Sequence, residues 1–185
     1  MSTTSNRYGA PLIALHWITL LLIAAVYALM EFKGIYPRGS AGRQAMAGWH
    51  FTLGMTVFTL TALRLLFRVL GTTPPIVPAP PRWQAMASKA VHFLLYVMLL
   101  GLPLSGWLVV SANGGHVDFW GLQLPALVAP DKALAHDVKE VHESVASFGY
   151  VLIGLHALAA LYHHYVVRDN TLARMLPLAR ARRSS

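Results

Sequence analysis

Four stretches of the chain are almost unbroken in apolar character, and polar or charged residues gather in short segments between them. A helix needs about 20 residues to cross roughly 30 Å of hydrocarbon, and each stretch reaches that length. The pattern predicts helices over about 11–30, 46–67, 87–110 and 138–167. Pro11 suits a first helical turn, where its missing N–H costs nothing. The internal charge of the second stretch, Arg64, lies near its end, from which a long side chain can snorkel to the interface. Gly101-Leu102-Pro103 interrupts the third and predicts a kink there. The fourth corresponds to about 45 Å of helix, so it tilts or projects beyond the bilayer.

The connectors carry turn chemistry. Residues 71–81 contain Pro74, Pro75, Pro78, Pro80 and Pro81, which forbid regular structure and suggest a stiff extended link. The segment 111–137 is longer, with a turn signal at Asn113-Gly114-Gly115 and an interfacial run at Trp120-Gly121-Leu122. No internal repeat is present. The expectation is an all-α, integral membrane four-helix bundle forming a single transmembrane domain over 1–185.

Composition sharpens this reading. The chain has 185 residues, 56% of them hydrophobic and only 12% charged, about half the charged share of an ordinary soluble domain. It has no cysteine, which excludes disulfides, thiolate ligands, iron–sulfur clusters and covalent haem attachment. The net charge of +8 raises nucleic acid as a partner, but the basic residues flank the apolar stretches and orient them instead. One side holds Arg7, Arg64, Arg68, Arg82, Lys89, Arg168, Arg174, Arg180, Arg182 and Arg183. The other holds Lys33, Arg38, Arg43, Lys132 and Lys139 beside six acids, Glu31, Asp118, Asp131, Asp137, Glu140 and Glu143. The positive-inside rule then places both termini in the cytoplasm. The first apolar run follows a nearly neutral start and continues into a Glu31–Lys33 loop without a small-residue cleavage site, so it is expected to stay as a helix.

Nine histidines in so apolar a chain need an explanation, because ionisable groups inside a membrane are costly and usually functional. His16 and His50 each lie one turn into antiparallel helices, near opposite membrane faces, so they do not share a metal. His142 and His156 are fourteen residues apart, close to four turns and ~21 Å, on nearly one side of the fourth helix. Two sites follow: an outer pair of His50 with His142, and an inner pair of His16 with His156. His163, seven residues beyond His156, or its neighbour His164, serves as inner partner equally well on spacing. Imidazoles above and below a haem plane leave no open position, which suits electron transfer. Gly48, Gly54, Gly149 and Gly154 flank these histidines and permit close approach of a flat macrocycle or a neighbouring helix. A lone intramembrane histidine is as readily a hydrogen-bonded packing residue, but four at matching depths and faces argue for two b haems.

Several motifs taken together resemble the prokaryotic cytochrome b561 family: Leu15-His16-Trp17, the Met30-Glu31-Phe32-Lys33-Gly34 turn with Pro37-Arg38, His50 early in its helix, and Arg64 with Arg68. Thr73-Pro74-Pro75, His92, Gly149-Tyr150, Gly154-Leu155-His156, His163-His164-Tyr165 and Asp169-Asn170-Thr171-Leu172 with Arg174-Met175 extend the likeness over nearly the whole chain. The resemblance implies a multi-pass, di-haem b protein of the bacterial inner membrane, with axial ligands at His16, His50, His142 and His156. It implies an oxidoreductase that oxidises superoxide at the periplasmic face and passes the electron to ubiquinone; the short loops and tails add the expectation of no obligate protein partner.

On that expectation Lys33, Arg38 and Arg43, in the first outer loop, either steer the superoxide anion or neutralise haem propionates. His92, with Ser88 and Lys89 beside it, is the candidate quinone donor or propionate contact. His116 and His136 read as solvated. A haem-bearing anchor subunit of a hydrogenase or dehydrogenase is the alternative, and short loops and tails argue against it. A histidine-lined metal transporter needs acids within its helices, and these spans have essentially none. No Gly-rich nucleotide motif or nucleophile–base pair is present.

Overall fold

The computed structural model describes residues 7–177. Four helices dominate it: α1 Ala10–Glu31, α2 Ala41–Leu70, α3 Arg82–Ala112 and α4 Lys132–Tyr162. Each is long and apolar enough to cross a membrane. Arg180, Arg182 and Arg183, part of the charge pattern above, lie outside the described residues.

Three helices begin earlier than apolarity alone predicts, two of them because polar caps start them before the hydrocarbon does. Ser40 caps α2 by accepting from the Arg43 amide at 3.4 Å. Asp131 caps α4, its Oδ1 accepting from the amides of Ala133 and Leu134 at 2.9 and 3.0 Å. Pro81 precedes the first residue of α3. Pro103 does not break α3, which runs continuously through it. Beyond Tyr162 the chain widens into a π turn, His163–Val167, and Arg168 ends it in the left-handed conformation at φ 59°.

Consecutive helices pack side by side, and α1 reaches α4 through Tyr27, whose hydroxyl donates to the Ala146 carbonyl at 2.7 Å. Much of the outer surface is apolar and exposed, including Leu21, Val69, Leu70 and Phe93, as expected where lipid is the solvent.

At one end of the bundle the two termini meet. The Tyr8 amide donates to the Arg174 carbonyl at 3.3 Å, Trp17 Nε1 donates to the Met175 carbonyl at 2.7 Å, and the Arg7 guanidinium reaches the Leu176 carbonyl. Asn170 ties the same segment to the proline-rich connector, accepting from the Val77 amide at 2.9 Å. At the opposite end the long connector forms a two-residue hairpin, β1 Asp118–Phe119 against β2 Leu122–Gln123. Its turn residues, Trp120 and Gly121, both have positive φ (55° and 84°). Trp120 is held by Thr56, which accepts from its indole N–H at 3.0 Å, and by an edge contact with Trp49.

Candidate functional site

The histidines on α1, α2 and α4 meet in two places. At the hairpin end the rings of His50 and His142 lie edge-on to one another, centroids 6.2 Å apart and planes inclined by 65°. At the terminal end His16 and His156 lie edge-on at the same 6.2 Å, inclined by 73°. A metal–imidazole bond of about 2 Å, plus about an ångström to the ring centre on each side, gives roughly 6 Å for two rings sharing one ion. Both spacings meet that requirement.

The outer pair is oriented from behind. His50 Nδ1 lies 3.1 Å from the Val26 carbonyl, to which it donates, so Nε2 is the nitrogen with a free lone pair. His142 Nδ1 lies 3.0 Å from Ser105 Oγ. Since the Ser105 hydroxyl donates to the Leu102 carbonyl at 2.8 Å, it accepts from His142 and fixes the same tautomer. Gly54, one turn from His50, would direct a Cβ into open space, and it lines one cavity with His50, Leu102, Gly106 and His142. Gly149 has another role: a Cβ there meets the Tyr27 hydroxyl and comes within 2.9 Å of Met98 Sδ, so it serves the packing of α4 on its neighbours. Gly48 lines a separate cavity of about 390 Å³ beneath the hairpin, with Trp49, Asp118 and Trp120.

The inner pair has company. His92 stands 5.2 Å from His156, ring to ring, and its Nδ1 donates to the Ser88 carbonyl at 2.6 Å. Arg64 is half-buried near this pair, its guanidinium carbon 6.0 Å from the Tyr96 ring centre, close enough for its charge to act on His16, His92 and His156. His163 turns instead to Asp169, Nδ1 to Oδ2 at 2.6 Å. Burial works against the Asp169 carboxylate, but the bonds from His163 and Thr171 outweigh it and hold its pKa below the ordinary value. His164 packs edge-on against Tyr165.

The candidates near the outer pair separate by role. Lys33 is half-buried and its charge acts on His50. Arg43 donates to the carbonyls of Lys33 and Tyr36 at 3.3 Å each, holding the turn between α1 and α2. Arg38 is exposed. Lys139, which sequence reasoning passed over, acts on His142 and pairs with Glu143 at 2.8 Å. His116 and His136 are exposed, the latter within 3.5 Å of Asp137 and Glu140.

Among the described residues no three His, Asp or Glu side chains converge to hold a metal. Two imidazoles are what a planar tetradentate macrocycle needs, since it supplies the other four donors. A family model described as prokaryotic cytochrome b561 matches residues 7–178. The chain belongs to the prokaryotic cytochrome b561 family. It is 41% identical over 172 residues to cytochrome b561 homolog 1 of Escherichia coli (strain K12), covering 93% of this chain and 98% of that protein. It is 35% identical over 175 residues to a protein of Yersinia pestis named probable superoxide oxidase CybB, covering 95% and 98% respectively. Cytochrome b561 homolog 2 of Escherichia coli (strain K12) is 28% identical over 176 residues, covering 95% and 94%. As a cytochrome b561 the protein is a haem b-binding, electron-transferring oxidoreductase that passes several times through the bacterial inner membrane.

Proposed function

We propose that this cytochrome b561 holds two b haems, one between His50 and His142 and one between His16 and His156, and moves electrons from superoxide to ubiquinone. The observation that carries the reading is the repeated 6.2 Å centroid spacing of two histidine pairs at opposite ends of the bundle. Each haem, when bound between two imidazoles, supplies a one-electron carrier with no vacant coordination position. Two superoxide ions are oxidised to dioxygen, and the two electrons with two protons convert one ubiquinone to ubiquinol.

The chain's own residues set the conditions. Both termini lie in the cytoplasm by the charge distribution, which puts the His50–His142 pair at the periplasmic face. Lys33 and Lys139 place positive charge beside that pair, and local charge raises the encounter rate of a small anion even where the face as a whole is acidic. Val26 and Ser105 keep the two rings in one tautomer and orientation. At the inner end His92, committed through Nδ1 to the Ser88 carbonyl, presents its other nitrogen as the hydrogen-bonding group for a quinone entering from lipid. The similarity to a protein named probable superoxide oxidase supports this substrate, and no soluble partner is required.

The test is a reduced-minus-oxidised spectrum of purified protein with haem quantification, followed by a superoxide pulse with and without a soluble ubiquinone. Two haems per chain, reduced by superoxide and reoxidised by quinone, are expected. Two haems inert to superoxide refute the substrate and point to a donor dehydrogenase; one haem or none refutes the ligand assignment.

A further inference from the structure

The terminal end of the bundle carries a buried cation that the described residues leave incompletely bound. Arg174 sits on a short 3-10 turn, Ala173–Met175, and is only 5% exposed. Its Nη2 donates to the Tyr8 hydroxyl at 2.9 Å, and its guanidinium carbon lies 5.0 Å from the centre of that ring. Its Nε and Nη1 are buried and have no acceptor among the described residues. Of the chain's seven acids, six lie toward the hairpin end. The seventh, Asp169, is spent on His163 and on the Thr171 amide at 2.8 Å. A buried guanidinium with idle donors is costly unless an anion completes it.

The position of that cation identifies the anion. Met175, next in the chain, accepts from Trp17, whose ring lies 5.5 Å from that of His16. Arg174 also acts on His92, which stands beside His156. A b haem carries two propionate carboxylates, and guanidinium is the side chain best matched to a carboxylate. We propose that Arg174 binds a propionate of the haem held by His16 and His156, so that this haem fastens the segment 170–176 across the start of α1. This inference rests on the bis-histidine reading above. The same oxyanion chemistry is available from a lipid phosphate at the inner leaflet, and the experiment separates the two.

Holoprotein is loaded with haem b or with its dimethyl ester in a host that cannot make haem. Haem release to an apomyoglobin trap is followed for wild type, Arg174→Gln and Arg174→Lys, with limited proteolysis of the 170–176 segment in parallel. For haem b, Arg174→Gln is expected to release the inner haem at least about tenfold faster, the scale of a lost charge-assisted bond. Its C-terminal segment is cut faster, and Arg174→Lys falls between. Wild type loaded with the ester behaves like Arg174→Gln, and the substitution adds nothing further with the ester. Equal acceleration for haem b and its ester overturns the inference, because Arg174 then acts only in packing. Unchanged release with loss of a co-purifying anionic phospholipid also overturns it and assigns the site to lipid. A wild-type protein without inner haem overturns the bis-histidine reading, and the inference with it.

Discussion

Replacing Ser105 by alanine isolates the control of a proposed haem ligand by a residue that does not touch the metal. The Ser105 hydroxyl donates to the Leu102 carbonyl at 2.8 Å and accepts from His142 Nδ1 at 3.0 Å. Alanine removes both bonds and frees the imidazole to rotate and to change tautomer. Partners of this kind are worth about 10–100-fold in metal affinity, or about 1.4–2.8 kcal/mol at 1.4 kcal/mol per tenfold. His50 is held by the backbone carbonyl of Val26, and the inner pair is on another part of the bundle, so neither is disturbed. Haem transfer to apomyoglobin is therefore expected to show one phase accelerated by about 10–100-fold and the other unchanged. Ser105→Thr, which keeps the hydroxyl, returns the fast phase close to wild type. Acceleration of both phases, or of neither, refutes the reasoning, since either means that Ser105 does not act through His142.

Three further outcomes follow from other contacts. Gly149→Ala drives a Cβ into the Tyr27 hydroxyl and Met98, costing about 1–3 kcal/mol of overpacking and about 1 kcal/mol for the Tyr27–Ala146 bond; an unchanged melting temperature in detergent contradicts this. Because the Asp169 pKa lies below its ordinary 3.8, its contribution to stability is complete above that value and is lost as pH falls through the depressed one. Asp169→Asn therefore lowers stability at neutral pH and flattens the acid limb of a stability–pH curve; a limb as steep as wild type counts against the His163–Asp169 pair. Lys33→Gln slows haem reduction by superoxide several-fold at low ionic strength, with the difference shrinking at about 1 M salt, where charges are screened within ~3 Å. A salt-independent effect means that Lys33 acts by packing rather than by field.

Four spanning helices were legible because unbroken apolar runs of that length have few other uses. Their ends were not, since Ser40 and Asp131 start α2 and α4 among polar residues that hydropathy assigns to loops. Helical spacing and antiparallel order offered His50 with His142, and His16 with His156 or with His163 or His164. Spacing left His163 and His156 equivalent; the structure turns His163 to Asp169, a residue beyond the helix end that no period relates to it. Gly149 read as room for a flat macrocycle or a neighbouring helix, and side chains of neighbouring helices, Tyr27 and Met98, occupy that room. Arg174 and Ser105 gave no periodic signal either. Their roles arise from contacts with Tyr8 and His142, 166 and 37 residues away.

The fourteen residues between His142 and His156 also set an electrical distance. They span about 21 Å of helix, roughly two-thirds of a 30 Å hydrocarbon layer. Moving one elementary charge across the whole layer involves about 2.3 kcal/mol per 100 mV, so passage between the two proposed haems involves about 1.5. In the proposed orientation, with the termini in the cytoplasm and superoxide as the donor, the electron travels toward the negative side of an energised membrane and works against its voltage. Two such passages per quinone make the opposing work about 3 kcal/mol per 100 mV. On the proposed reaction, turnover is then coupled to the membrane voltage: a fully charged membrane opposes it, and a discharged one releases it.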